Sequence, residues 1–591
     1  MASELPIEIW LDNARTGNEI VRHFSAPISV IEAKTFDELE VAFASLERTR
    51  AAGHYLAGYC AYELGYALEP RLQHLLAEGR DVPLLWFGVF ARCDVHRGAD
   101  ALRALQSQVN GRCYAGPLMH AWDAGDYSPR FQRVESYIAE GDIYQANLSF
   151  RSAFAAIGDP MALYLRLREQ SKAAHGAFLC DGERYILSLS PELFFSVSSG
   201  REILTKPMKG TAPRAAEPAE DELLKRSLRD SAKDRAENLM IVDLLRNDLS
   251  RIARTGTVQV EDLFVVETYP TVHQMVSTVG ATLETEATIR DLLRALFPCG
   301  SVTGAPKIRA MEIIDELETT PRGVYCGAIG CFTPDGSADF NVAIRTLTIA
   351  DGKGQLGVGG AIVHDSQVAS EYSECLLKAR YYEQGREKLE LIETLHFSSR
   401  DGFIRLNRHL ARMQKSALAF AIKFDRAAAE IALRNAVAGV TTDQRVRLAL
   451  RECGSFSCKS NALPQPSLEP WRYRFSSVRM SSADILLQHK TNWRHIYEEE
   501  FSRAGADEVL FINERGRITE GSRTNVFIRR DGRLVTPGAM EGLLCGCLRQ
   551  EMLDSGTCVE GVVYPEDLER ADEVFLGNSL RGLVRAVSAS A

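Results

Sequence analysis

No uninterrupted apolar run in the 591-residue chain approaches the length a helix needs to cross a bilayer, so a helical membrane protein is excluded. Basic charge is also short. Lys and Arg total 69 against 79 Asp and Glu, a net charge of -10, which provides no electrostatic footprint for nucleic acid. An acidic total still leaves room for a local cationic pocket that takes an anionic metabolite. The 13 cysteines are scattered, and the nearest pairs, Cys326/Cys331, Cys453/Cys458 and Cys545/Cys547, lack the two CxxC clusters of a zinc ribbon, so reduced thiols are expected. No period of a few tens of residues recurs, which excludes a solenoid or propeller. The opening MASELPIEIW has an acidic residue where a secretory signal needs basic ones, and the expected location is the cytoplasm.

What the chain does have is the makeup of a soluble globular protein, 45% hydrophobic and 25% charged, and enough length for more than one core. Short β-rich runs such as RYILSLS (from Arg184), ELFFSV and AIRTLTIA alternate with helical stretches such as DRAENLMIVDLLRNDLSRI. The first two thirds therefore reads as mixed α/β or α+β. The charge-rich segment PRAAEPAEDELLKRSLRDSAKD, from Pro213 and with a second proline at Pro218, reads as an exposed connection that leads into a helix. A strongly polar stretch near Tyr381, YYEQGREKLE, closes one pattern, and LIETLHF opens another. Two domains are expected, 1–385 and 388–591, the second with a helix at HLARMQKSALAFAI and a hairpin turn at Glu514-Arg515-Gly516.

Two groups of residues carry chemistry. In ASEYSECLLKARYYEQ, Glu371 and Glu374 stand three apart on a predicted helix and project from one face, where two carboxylates can share a cation. The acidic helix DRAENLMIVDLLRND contributes Glu237, and Mg²⁺ is commonly held by one or two carboxylates together with an anionic substrate.

Around these residues the strings GDIYQANLSFR, LSLSPELFF, TKPMKGTAPR, DRAENLMIVDLLRND, CGSVTGAPKIRAMEIIDE, YCGAIGCF, AIRTL and GVGGAIVHDSQVASEYSE follow one another in order. From its start to about Arg380 the chain thereby resembles the chorismate-utilising enzymes, and within them the aminodeoxychorismate synthase component I group. The resemblance implies an α/β sandwich built on two large antiparallel sheets. It places Glu237 and Glu374 as Mg²⁺ ligands with Glu371 beside them. Arg345, Lys307 and the backbone of Gly359 and Gly360 would take the two carboxylates of chorismate, since arginine offers a planar fork and glycine allows close approach. Tyr325, His273 and Thr303 would line the same pocket.

Within that family the anthranilate synthases carry Ala where this chain has Lys209 in PMKGT, and members that add water carry Lys where it has Gln145. Desolvated or set beside another cation such as Lys206 or the bound metal, Lys209 can act as a nucleophile on the substrate ring, with Glu192 of SPE as general acid to the departing hydroxyl. Ammonia would then displace the lysine. No glutaminase motif is found, and Cys60 in GYCAYELGY has the wrong context, so the resemblance implies a separate glutamine amidotransferase subunit.

From about Leu391 the chain resembles the fold-type IV pyridoxal-phosphate (PLP) enzymes, through RHLARMQKSA, HKTNWRHIY, DEVLFINERGRITEGSRTNVF, TPGAMEGLLCGCLRQ and DEVFLGNSLRGL. That group holds aminodeoxychorismate lyase and the branched-chain and D-amino-acid aminotransferases. A glycine-rich stretch usual before LIETLHF is missing. PLP chemistry needs a Schiff-base lysine, an acid facing the pyridine nitrogen, and donors for the phosphate. The resemblance assigns Lys490, Glu520 and Arg412 to these roles, with backbone N–H groups of Gly546 and Cys547 at a helix start as further phosphate donors. Asn578, Ser579 and Arg581 are candidates for the substrate carboxylate, and a homodimer through the C-terminal domain follows from the family. The implied function is amination of chorismate followed by pyruvate elimination to 4-aminobenzoate, a precursor of folate. The alternatives are an anthranilate-type synthase joined to an aminotransferase, and a non-catalytic protein that recruits an amidotransferase.

Overall fold

In the strand Tyr55–Cys60 alternate residues serve two interiors: Ala57 and Tyr59 join one core, Leu56 and Cys60 another. A strand buried on both faces reads as a continuous apolar run, and such strands dominate the first unit of this computed structural model, which describes residues 5–269, 272–465 and 469–589. The first four residues of the opening segment lie outside the described residues. The chain divides into two compact units. One comprises Met1–Gln108, Leu118–Phe154 and Tyr164–Gly385; the other comprises Val109–Pro117, Ala155–Leu163 and Arg386–Ala591.

The first unit is built on two large sheets. One runs in the order Gly304–Ala305, Gln145–Gly158, Lys353–Ile362, Thr346–Ala350, Tyr185–Ser190, His175–Cys180, Glu8–Asn13, Ile20–Ser25, Asp94–Arg97. The other runs Met208–Pro213, Val272–Thr282, Glu202–Thr205, Leu193–Val197, Ala338–Val342, Ala328–Phe332, Tyr55–Cys60, Leu85–Phe90, Ser29–Ala33. Neighbours pair antiparallel, as in Leu187↔Leu347 and Tyr59↔Trp86. The sheets pack face to face through Ile9, Leu11, Leu179 and Ile186 from one and Tyr59, Trp86, Phe90 and Ile329 from the other. Helices Leu39–Ala51 and Ile289–Leu296 cover the outer face of the second sheet with Phe43, Leu46, Leu292 and Leu296.

Two helices carry expected site residues. Ala232–Ser250 starts at Ser231, whose hydroxyl accepts from the Asp234 amide at 3.2 Å, the usual N-cap geometry. Val368–Glu383 carries Glu371, Glu374 and Lys378.

The second unit contains a four-stranded antiparallel sheet, ordered Gly402–Phe403, Glu390–Ser398, Gln444–Arg451, Phe456–Ala462. Its eight-stranded sheet is mixed, with Trp471–Met480 parallel to both Glu508–Asn513 and Gly582–Ser588. Helices Leu406–Ala419 and Arg426–Ala436 pack with the smaller sheet through Leu410, Met413, Leu433 and Leu448. Two stretches from far earlier in the chain complete this unit. Arg112 donates to Asp484 at 3.1 Å and to the Trp493 carbonyl at 2.9 Å, and the Tyr114 ring stands edge-on to Phe420 at 5.0 Å. Among the described residues no helix is long and apolar enough to cross a membrane.

Candidate active sites

In the first unit, Ser301 joins two of the expected residues. Its hydroxyl donates to the Glu192 carboxylate at 2.7 Å, and its carbonyl accepts from Lys209 Nζ at 3.2 Å. Glu192 immediately precedes the strand Leu193–Val197 and is 3% exposed; Lys209 lies on Met208–Pro213, at the edge of the same sheet. Burial pushes Glu192 up to about 7 against the opposing pull of Ser301 and Lys209. Burial lowers Lys209, aided by the Lys378 cation and resisted by Glu237, Glu192 and Glu374. The neighbouring cation is thus Lys378 and not Lys206, whose amine lies 3.9 Å from Glu267.

Lys378, which the sequence reading passed over, donates to the Gly359 carbonyl at 2.9 Å and pairs with Glu374 at 2.9 Å. One helical turn separates Glu374 from Lys378, and an i,i+4 Glu–Lys spacing is its visible signal. Burial works to raise Glu374, but Lys378 and the other lysines prevail and lower it. Glu371 is buried, accepts from Ser366 Oγ at 2.7 Å and is raised by burial; Glu237, 3.8 Å from Lys233, is raised for the same reason. Burial leaves Glu371 and Glu237 raised, which fits a divalent cation beside them, whereas Glu374 already has Lys378. Among the described residues they do not bring three ligand oxygens within 4.8 Å of one another, so an ion here would share its shell with an anionic substrate.

Arg345 sits at φ 49° between two strands, and its guanidinium has no ion-pair or hydrogen-bond partner among the described residues. Burial lowers it, with Tyr381 and Tyr269 nearby. An unpaired, desolvated guanidinium calls for an anion. On the strand Lys353–Ile362 a Cβ on Gly357 would lie 2.3 Å from the Tyr325 ring and one on Gly359 2.7 Å from the Leu148 carbonyl, so both positions need glycine, whereas one on Gly360 would come only to 3.3 Å from the Glu371 carboxylate. Tyr325 is buried beneath this strand with Arg151 over its ring.

Three expected pocket residues are engaged elsewhere. Lys307 opens the helix Lys307–Leu317, and its ammonium donates to Asp248 at 2.7 Å and to the Leu296 carbonyl at 2.9 Å. It is neutralised inside the protein and is not a free carboxylate receptor. His273 has both ring nitrogens occupied, by Thr268 at 3.1 Å and Asp221 at 2.9 Å. The Thr303 hydroxyl turns back on the carbonyls of Cys299 and Gly300.

In the second unit, Lys490 lies just past the short helix Ile485–Gln488, and its amine has no hydrogen-bond or ion-pair partner among the described residues. Burial lowers it to about 7, helped by the Arg494 and Arg412 cations. Glu520, on Ile518–Gly521, accepts from Tyr497 Oη at 2.8 Å and the Leu544 amide at 3.2 Å, and burial raises it to about 7. Arg412 on the helix Leu406–Ala419 forks onto Glu393 at 2.8 and 2.6 Å and reaches the Cys545 carbonyl at 3.0 Å. Cys545 precedes Gly546, the N-cap of the helix Cys547–Asp554, so Arg412 and a helix N-terminus converge. A Cβ on Gly546 would lie 2.1 Å from Asn525 Oδ1 and would have to push aside a side chain whose amide donates to the Leu544 carbonyl. A lone buried amine, a buried carboxyl and a cationic anion cradle fit the three requirements of PLP.

Residues 7–383 match the chorismate binding enzyme family, which is more than half of the chain. The chain belongs to that family. Residues 390–589 match a second family, amino-transferase class IV. Aminodeoxychorismate synthase component 1 of Klebsiella aerogenes is 48% identical over 261 residues, 44% of this chain and 58% of that protein. The Escherichia coli K12 protein of the same name is 46% identical over 284 residues, 47% of this chain and 62% of its own length. The chain thus spans about three fifths of the length of these relatives. The crystal structure of anthranilate synthase component I from Streptococcus pneumoniae is similar, with a TM-score of 0.52, 25% identity, and coverage of 62% of this chain and 92% of that one.

Proposed function

We propose that the chain is a bifunctional enzyme of 4-aminobenzoate synthesis, aminating chorismate to 4-amino-4-deoxychorismate in its first unit and eliminating pyruvate in its second. The observation that carries this reading is a repeated one: each unit sets a desolvated lysine amine near a carboxyl raised to about 7, Lys209 with Glu192 and Lys490 with Glu520.

In the first unit, Arg345 takes a carboxylate of chorismate. Glu237, Glu374 and Glu371 would hold Mg²⁺, which supplies positive charge for a second one. The neutral Lys209 amine adds to the far end of the ring diene while the double bonds shift and the hydroxyl leaves as water with the proton of Glu192. Ammonia then adds at the vacated carbon, the bonds shift back, and Lys209 departs as the free amine. The Glu192 carboxylate receives the proton lost by the incoming nitrogen, so chorismate and ammonia give aminodeoxychorismate and water. Ammonia comes from a separate glutamine amidotransferase subunit, as the "component 1" in the relatives' names suggests.

In the second unit, PLP, when bound, supplies an electron sink. Arg412 and the N–H groups at Gly546 and Cys547 would hold its phosphate, and Glu520 would face its ring nitrogen. Lys490 Nζ, lowered by burial to about 7, would take the proton beside the substrate amine and return it to the methylene carbon of the departing enolpyruvyl group, which leaves as pyruvate with gain of aromaticity. A homodimer through this unit and a cytoplasmic location belong to the same proposal.

Purified protein incubated with chorismate, ammonia, Mg²⁺ and PLP is expected to form 4-aminobenzoate and pyruvate without a keto-acid acceptor. Formation of 2-aminobenzoate, the product of an anthranilate-type site, refutes the first half. A requirement for a keto acid refutes the second.

A further inference from the structure

Behind Arg412 lies a group of buried ionisable side chains that the reaction does not use. Glu393, on Glu390–Ser398, receives Arg412 on both oxygens and His409 Nδ1 at 2.6 Å. His409 and Arg412 are three apart on one helix and so share a face. The other His409 nitrogen meets Ser579 Oγ at 2.8 Å, and Cys547 Sγ is 3.5 Å from Nδ1. Glu393 and His409 are each 1% exposed.

Ligand atoms of Glu393, His409 and Cys547 all lie within 4.8 Å of one another, a spacing a metal ion could use. The charge balance argues against one. Both Glu393 oxygens already face cationic donors, and a metal would have to displace a guanidinium from a buried bidentate pair. Burial works to raise Glu393, yet Arg412 and His409 hold it down at about 2, while Glu393 lifts the buried His409 to about 8. The group is complete as an ion triad.

We propose that Glu393 is the positioning residue of the cofactor-phosphate site: it fixes the plane of the Arg412 guanidinium from behind, so that the free edge points at the phosphate. A guanidinium has five N–H groups. Three are engaged here, two by Glu393 and one by the Cys545 carbonyl, which leaves two for a ligand beside the N-terminus of the helix Cys547–Asp554. Without Glu393 the fork loses the one carboxylate it meets among the described residues and its fixed orientation; above pH 8, where His409 is already neutral, the group's net positive charge rises. A purely attractive role for charge would then strengthen phosphate binding; a positioning role weakens it. This inference rests on the reading of the second unit as a PLP site.

The test titrates full-length apo-protein with PLP and with pyridoxal, which lacks the phosphate, and follows the absorbance of the bound form. Glu393→Gln is expected to weaken PLP at least tenfold and to leave pyridoxal within twofold, with kcat at saturating PLP reduced far less than affinity. Should that variant not fold, Glu393→Asp, which keeps the charge and shortens the reach, is expected to show the same split at smaller amplitude. Equal weakening of both ligands, or unchanged or tighter PLP binding, overturns the proposal. Stoichiometric zinc in the purified protein that is lost in Cys547→Ser also overturns it. Wild-type protein that binds neither ligand refutes the PLP reading itself, a result distinct from the others because it needs no variant.

Discussion

Glu192→Gln separates catalysis from stability. A carboxyl moved from the usual 4.5 to about 7 by burial is disfavoured in its charged form by roughly 3 kcal/mol relative to the unfolded chain. The sign follows from proton binding: between pH 4.5 and 7 the folded state holds the proton and the unfolded state does not. Stability is therefore lost as pH rises through this window and stays lost above it. Glutamine cannot ionise, and its carbonyl can still accept from Ser301 Oγ, so the variant escapes this penalty. At pH 8.5 the first unit of Glu192→Gln should unfold several degrees above wild type in calorimetry, and near pH 4.5 the difference should vanish. The same change removes the proton donor to the leaving hydroxyl, and ammonia-dependent loss of chorismate should fall by about 10²–10⁴-fold. Wild-type amination should fall at high pH as Glu192 loses the proton it donates and at low pH as Lys209 takes one up. A variant that keeps a tenth of the amination rate, or that melts below wild type at pH 8.5, refutes the reasoning.

Lys209→Ala should remove most amination while the calorimetric transition of the first unit persists, because the amine is held by one carbonyl only; amination at the wild-type rate would rule out covalent catalysis by this lysine. Glu374→Gln should raise the Mg²⁺ concentration needed for chorismate turnover at least tenfold and leave pyruvate release from supplied aminodeoxychorismate intact; equal loss of both activities would contradict two independent sites. Lys490→Ala should abolish pyruvate release and let aminodeoxychorismate accumulate, and borohydride reduction of the wild type followed by peptide mapping should find the pyridoxyl group on Lys490; a label on Lys415 would refute the assignment.

Much of this protein is set by local patterns in the chain. Alternation around YILSLS, helical periodicity around DLLRNDLS, and the polar break after Tyr381 correspond to Tyr185–Ser190, Ala232–Ser250 and the end of Val368–Glu383, because each depends on residues close in sequence. The ordered motifs likewise mark out the family. Spacing along the chain could not say which charges are already neutralised. Lys307 and Arg345 look equally available as carboxylate receptors in the sequence, yet folding places Asp248 against the first and leaves the second unpaired. Lys206, three residues away, is the lysine the sequence offers beside Lys209, and only the packing of Val368–Glu383 makes the distant Lys378 the cation that acts on it. The Glu393–His409–Arg412 triad unites a strand and a helix whose residues carry no motif of charge pairing in common, and Val109–Pro117 joins the second unit across more than 260 intervening residues. Desolvation, which moves Glu192, Lys490 and Glu520 toward neutrality, is a property of what surrounds a side chain in space, so it is decided only when the tertiary structure is complete.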